Sequence, residues 1–337
     1  MARIKALING QWYGDLEETP AVRRALATGD RFRTRVTADG GPGPNGASAL
    51  PAEPGRYHLY VSYACPWAHR TILYRRLKGL EDVISLSVLH PRMGDEAGWR
   101  FGDTAMSTPD HANGCRYLHE VYQRGKPDAT TRVTVPMLWD KHEGRIVNRE
   151  SGDIMRMLNS AFDRWGDADV DFYPPGLRPA IDKLNALILP RVCAGVYRAG
   201  FARSQADYDR AVHELFETLD ELERRLGRQP YLLGEHITES DWHLFCTLVR
   251  FDAAYHGALR CNRYRLTDYP ALAAFTRRLY RLPGVAETVK FDHIKAHYYD
   301  DLGELEPTIV PAGPARDFRS ECTAKPPPEF SRIEAEH

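Results

Sequence analysis

Residues that could do chemistry on this chain begin with one cysteine. Cys65 stands in Ala64-Cys65-Pro66-Trp67-Ala68, between a segment that reads as a strand and one that reads as a helix. Cysteine reacts as its thiolate. A free thiol titrates near 8.5, and a helix N-terminus lowers that value through the partial positive charge of its unpaired N–H groups. Pro66 suits the first helical turn, where no amide hydrogen is missed. A dithiol enzyme carries its resolving cysteine three residues on, where this chain has Ala68. Cys65 therefore cannot close a local disulfide, and a mixed disulfide formed on it needs an external thiol, for which glutathione is the natural candidate. The other cysteines (115, 193, 246, 261 and 322) have no paired spacing, so neither a disulfide framework nor a C-x-x-C motif is present.

The elements that must position Cys65 follow from patterning. YHLYVS (57–62) is aromatic and β-branched and predicts a strand. The next segment places Ile72, Leu73, Leu77 and Leu80 on one helical side, with Gly79 near its end. VISLSVLH (83–90) predicts a second strand, and the β-α-β unit makes the two parallel. Residues 91–130 read as a long polar excursion with a helix around 110–123. RVTVPMLWD (132–140), a turn at His142-Glu143-Gly144 and RIVN (145–148) predict an antiparallel hairpin, closed by a helix from Ser151 to Leu158. The order β-α-β then β-β-α is thioredoxin-like. Val135-Pro136 could expose a backbone edge to a peptide ligand. Glu150 offers a carboxylate for an ammonium, and Ser151 with the free N–H groups beside it offers donors to a carboxylate.

From about 178 the chain turns helical, over 178–199, 204–227, 239–256 and 270–281. Thr238 and Asp241 make a capping pair, with Ile237 and Trp242 as a hydrophobic staple. Residues 1–55 read as an irregular arm, Gly- and Pro-rich from Gly40 to Gly55, and the tail beyond Pro307 reads as extended. The expected division is an arm (1–55), a thioredoxin-like α/β domain (56–165), an all-α domain (175–311) and a tail (312–337).

Composition excludes several classes. Of the 337 residues, 43 % are hydrophobic, enough for a core. Lys+Arg (45) and Asp+Glu (46) cancel, so no global basic field favours nucleic acid or an anionic membrane. No apolar run reaches the ~18 residues of a membrane span, and the N-terminus does not read as a signal peptide. A cytoplasmic protein is expected. His293 and His297 are spaced like a zinc pair, but H-E-x-x-H and a third ligand are lacking, so no metal is expected.

Together the motifs ACPWAHR (64–70), LKGLED (77–82), GW-F (98–101), VPMLWD (135–140), IVNRESGDIMRMLNSAF (146–162), VYRAGFA (196–202), RFDAAYHGALRCN (250–262) and FDHIKAHYY (291–299) resemble the glutathionyl-hydroquinone reductases, the Xi class of glutathione transferases. The resemblance implies Cys65 as nucleophile on a glutathionyl-hydroquinone, with glutathione as co-substrate and no metal. It also implies glutathione contacts from Trp99, Val135, Glu150 and Ser151, a hydroquinone pocket from Tyr197, Tyr255 and Tyr298, and a homodimer. Tyrosine suits that pocket because its ring stacks on a quinol while its hydroxyl bonds the quinol oxygens. Tyr63 and Arg149 depart from the family pattern, which has leucine and asparagine there; so do the small residues flanking Tyr255 and the Asp300-Asp301 continuation. An Omega-like thiol transferase acting on dehydroascorbate or mixed disulfides, and a non-enzymatic binding protein of the same fold, are the alternative readings.

Overall fold

The computed structural model describes residues 3–43, 46–94 and 96–301, and the chain divides into two compact units, Met1–Ala168 and Asp169–His337. Cys322 and the tail 312–337 lie outside the described residues.

The first unit is α/β. Its N-terminal part is β1 (Arg3–Ile8), β2 (Gln11–Glu17), α1 (Pro20–Thr28), β3 (Arg35–Thr37) and β4 (Ala49–Pro51). The thioredoxin-like part follows as β5 (Tyr57–Val61), α2 (Pro66–Leu77), β6 (Ser85–Val88), α3 (Leu118–Gly125), β7 (Thr131–Arg132), β8 (Met137–Asp140), β9 (Arg145–Asn148) and α4 (Ser151–Ser160). Four strands form one sheet in the order β6-β5-β8-β9. β5 runs parallel to β6 and antiparallel to β8, and β8 is antiparallel to β9. All five residues of β5 are buried, as a central strand covered on both faces requires.

Residues 3–51 differ from the irregular arm that their sequence predicts. β1 and β2 pair as an antiparallel hairpin, and β1 also pairs with β7 through Ala6↔Arg132 and Leu7↔Thr131. Ala6 and Leu7 are fully buried. The strand is thus held on one side by a hairpin whose Asn9-Gly10 turn, with positive φ at both residues, was a local signal the irregular-arm reading missed, and on the other by a partner far along the chain that no local pattern reveals. The helix expected around 110–123 begins only at Leu118. The Asp110 carboxylate takes hydrogen bonds from the backbone N–H groups of Ala112, Asn113 and Cys115, holding 110–115 as a turn.

The second unit is helical: α5 (Arg178–Ile188), a π-helical turn Leu189–Cys193, α6 (Gly195–Gly200), α7 (Gln205–Leu226), α8 (Glu239–Leu248), a second π turn Phe251–Tyr255 leading into α9 (His256–Ala258), α10 (Pro270–Tyr280), α11 (Phe291–Lys295) and a third π turn from Ala296. The continuous helices predicted over 178–199 and 239–256 are therefore each broken by a π turn. At α8 the Asp241 carboxylate takes hydrogen bonds from Thr238 N, Thr238 Oγ1 and Leu232 N, and Trp242 is fully buried. No helix among the described residues is long and apolar enough to cross a membrane.

Candidate active site

Cys65 is the N-cap of α2, with extended backbone (φ −75°, ψ 121°) and Pro66 beginning the helix. β5 delivers the chain to this point, and His69 N donates to Cys65 O at 2.9 Å to close the first turn. The helix is buried along most of its length and packs against α4. The thiol is half-buried, and Sγ donates to the Val135 carbonyl at 3.6 Å. The Val135–Pro136 bond is cis. Two residues predicted from separate motifs thus meet at one point, where a thiol at a helix N-terminus faces backbone that precedes a sheet strand.

The other described cysteines are worse nucleophiles or inaccessible. Cys193, Cys246 and Cys261 are buried. Burial pushes the Cys261 thiol up to about 12, and burial followed by the Asp110 charge pushes Cys115 up to about 11.

Glu150 is the N-cap of α4 and Ser151 its first residue. The turn is fixed from behind, because Asn148 Oδ1 accepts from Glu150 N at 2.8 Å and Asn148 Nδ2 donates to Asp153 at 3.2 Å. Asp153 also receives Arg33 Nε at 2.5 Å and Arg35 Nη2 at 2.7 Å. Asn148, Asp153 and these two arginines are positioning residues absent from the sequence reading. Only Asn148, two residues before a helix N-cap, carried a local signal. Glu150 is exposed and Ser151 is buried, which leaves the carboxylate available to a cationic group and the helix N-terminus available to an anion. Trp99 is buried in the connection between β6 and α3, where Leu118 N donates to Trp99 O at 2.9 Å.

Tyr197, Tyr255 and Tyr298 gather in the second unit. Tyr197 and Tyr298 share a very short hydroxyl–hydroxyl hydrogen bond, and the Tyr255 and Tyr298 hydroxyls are 3.4 Å apart. The rings of Tyr255 and Tyr298 meet edge to face with centroids 5.2 Å apart. Tyr255 and Tyr298 are buried. Burial and then the neighbouring Tyr298 raise the Tyr255 phenol well above its ordinary value, so it stays protonated and able to donate. Chemically, the first unit offers one thiol against a backbone edge, and the second offers three linked phenols.

Comparison with known proteins agrees on one family. The Glutathione S-transferase, N-terminal domain matches residues 64–161, and the Glutathione S-transferase, C-terminal domain matches residues 205–278. The chain is 46 % identical to the glutathionyl-hydroquinone reductase YqjG of Escherichia coli, covering 93 % of this chain and 96 % of that protein. It is 50 % identical to the glutathionyl-hydroquinone reductase PcpF of Sphingobium chlorophenolicum over 78 % and 84 %. Among solved structures, the glutathione-bound YqjG superposes with a TM-score of 0.84 over the same shares of the two chains. The Xi class GST of Natrialba magadii, 42 % identical, superposes with a TM-score of 0.87 over 95 % and 96 %.

Proposed function

Because this chain belongs to the Xi-class glutathione transferases, the glutathionyl-hydroquinone reductases, we infer that it reduces glutathionyl-hydroquinones to hydroquinones with glutathione as co-substrate. The observation that carries this reading is the solitary thiol of Cys65, an N-cap with Ala68 where a resolving cysteine would stand.

The Cys65 thiolate attacks the glutathionyl sulfur. The bond between that sulfur and the aromatic carbon breaks, its electron pair goes to the ring carbon, and a proton completes the free hydroquinone. Glutathione is left disulfide-bonded to Cys65. A second glutathione, as thiolate, attacks the glutathionyl sulfur of that disulfide, and Cys65 leaves as thiolate with glutathione disulfide as product. The substrate is reduced by two electrons and two glutathionyl sulfurs are oxidised. A thiol made acidic by helix geometry suits both steps, since it is ionised for attack and leaves readily.

Residues 56–165 would bind glutathione and residues 175–311 the hydroquinone. Val135 offers its backbone to the cysteinyl part of glutathione, Glu150 its carboxylate to the ammonium, Ser151 and the α4 N-terminus their donors to the α-carboxylate, and Trp99 an apolar surface. Tyr197, Tyr255 and Tyr298 form the hydroquinone-binding group, and their hydroxyls are the source of the proton that the ring carbon takes. The protein works as a cytoplasmic homodimer on this reading, which sedimentation and cell fractionation test.

The deciding experiment is turnover of a glutathionyl-hydroquinone by the wild type and Cys65→Ala. We expect a loss of about 10³-fold or more, as when a covalent nucleophile is removed, with mass spectrometry finding one glutathione on the wild type after a single turnover. Turnover of dehydroascorbate with the glutathionyl-hydroquinone untouched would replace this reading with an Omega-like one. Equal turnover by both proteins would end it.

A further inference from the structure

The first unit contains a cavity of about 250 Å³ that none of the residues proposed for catalysis lines. Its walls are Glu18, Arg23, Leu26, Ala27, Arg132 and Arg149. Three guanidiniums face one carboxylate, so the cavity carries two positive charges in excess. Glu18 is already engaged, accepting from Arg132 Nη2 at 2.5 Å and lying 3.8 Å from Arg23 Nη2. Arg149 is held differently, its Nη1 donating to the backbone carbonyl of Arg132 at 2.7 Å. That acceptor fixes the side chain without neutralising it, and no carboxylate among the described residues pairs with Arg149. Leu26 and Ala27 supply an apolar wall from α1.

We propose that this cavity binds a small oxyanion, a phosphate or carboxylate carried on a short apolar body. A guanidinium presents planar, forked donors that match such a group with two parallel hydrogen bonds. Excess positive charge in a concave site concentrates anions there beyond what the same charges on a flat surface achieve. Arg149 and Arg23 hold the oxyanion, Arg132 stays committed to Glu18, and the body of the ligand rests on Leu26 and Ala27. The volume admits a single aromatic or short aliphatic acid. This site is independent of the glutathione reading, although Arg149 directly precedes Glu150 and Ser151, where a second anion-binding position begins at the α4 N-terminus.

That neighbour dictates the test. Inorganic phosphate, phenyl phosphate and benzoate are titrated by calorimetry into the full-length protein at constant ionic strength and in saturating glutathione. The expected result is one binding event per chain that survives glutathione. Phenyl phosphate should bind more tightly than inorganic phosphate, and affinity should fall about tenfold or more in Arg149→Gln and Arg23→Gln. Benzoate binding without phosphate binding selects a carboxylate ligand, and the converse selects a phosphate. Arg23 is largely exposed, so Arg23→Gln keeps the test decisive should Arg149→Gln fail to fold. Displacement of the probe by glutathione, equal affinity in wild type and both variants, or no binding overturns the proposal.

Discussion

At residue 65 the chemistry depends on what surrounds the sulfur as much as on the sulfur itself. Ser151 opens α4, and on the proposed reading its hydroxyl donates to a carboxylate of glutathione. A hydrogen bond to a charged group contributes about 1.5–3 kcal/mol. Ser151→Ala should therefore raise KM for glutathione roughly 10- to 100-fold and change kcat much less, which steady-state kinetics at varied glutathione will measure. An unchanged KM removes Ser151 from the binding set. A second residue-scale prediction concerns the frame. Arg56 donates to both oxygens of the fully buried Asp140, at 2.6–3.1 Å. Burial alone would push the Asp140 carboxyl up, but Arg56 and the N–H groups of Glu143 and His142 more than offset it, leaving it below the usual carboxylate range. Arg56→Met leaves that charge buried without its cation, so urea unfolding should find a loss of about 3–5 kcal/mol. The corresponding loss for an exposed pair is under about 1 kcal/mol, and a result in that range would mean the pair is effectively solvated.

At the scale of elements, β5 and β6 hold a pH-sensitive contact away from the thiol. The His58 ring is buried between Ser85 Oγ at 2.7 Å and Ser87 Oγ at 2.9 Å. Burial lowers its titration from 6.5 to about 4. The unfolded chain then binds this proton first, so the contribution of neutral His58 is present above about 6.5 and is lost as pH falls toward 4. The full difference is on the order of 3 kcal/mol at about 1.4 kcal/mol per pH unit. The stability of the wild type relative to His58→Asn should fall by that order between pH 7 and pH 4 in urea unfolding. A flat difference would show that the imidazole is hydrated. Taking the difference matters, because burial raises Asp241 to about 6 and its effect on stability runs the opposite way with pH in both proteins. These elements were also the legible ones. Aromatic and β-branched residues marked β5, the hairpin pattern of RVTVPMLWD, the His142-Glu143-Gly144 turn and RIVN marked β8 and β9, and Thr238 with Asp241 marked the start of α8. What escaped were local interruptions of the helical pattern. Asp110 gathers three backbone N–H groups of its own segment into a turn, and Pro190 marks the π turn Leu189–Cys193, whereas the π turn Phe251–Tyr255 holds neither proline nor glycine to signal it.

On the scale of the whole chain, the candidate site was more legible than the N-terminal segment that supports it. Cys65, Val135, Glu150 and Ser151 announce themselves within short motifs. Within residues 3–51 the β1–β2 and β3–β4 pairings are local, but what ties them to the rest of the unit is partners about 80–125 positions away, and no local window contains both halves of such a contact. Leu7 pairs with Thr131, Gly10 N donates to Ala129 O at 2.8 Å, the Trp12 ring stacks on His119 with centroids 4.4 Å apart, and Arg33 and Arg35 grip Asp153 in α4. The segment therefore behaves as part of the first unit's core and orients the helix whose N-terminus is proposed to bind glutathione. Leu7 is as fully buried as Leu138 at the centre of the main sheet. Removing a buried leucine side chain costs about 2–5 kcal/mol. In a chain of this size each kcal/mol lowers Tm by roughly 2–4 °C. Leu7→Ala should thus lower Tm on the order of 10 °C, comparably to Leu138→Ala, and Asp153→Ala should raise KM for glutathione with a smaller loss of stability. A Tm for Leu7→Ala within a degree of wild type would mean that the hairpin only rests on the surface. Arg33, Arg35 and Asn148 would then hold α4 without help from the hairpin.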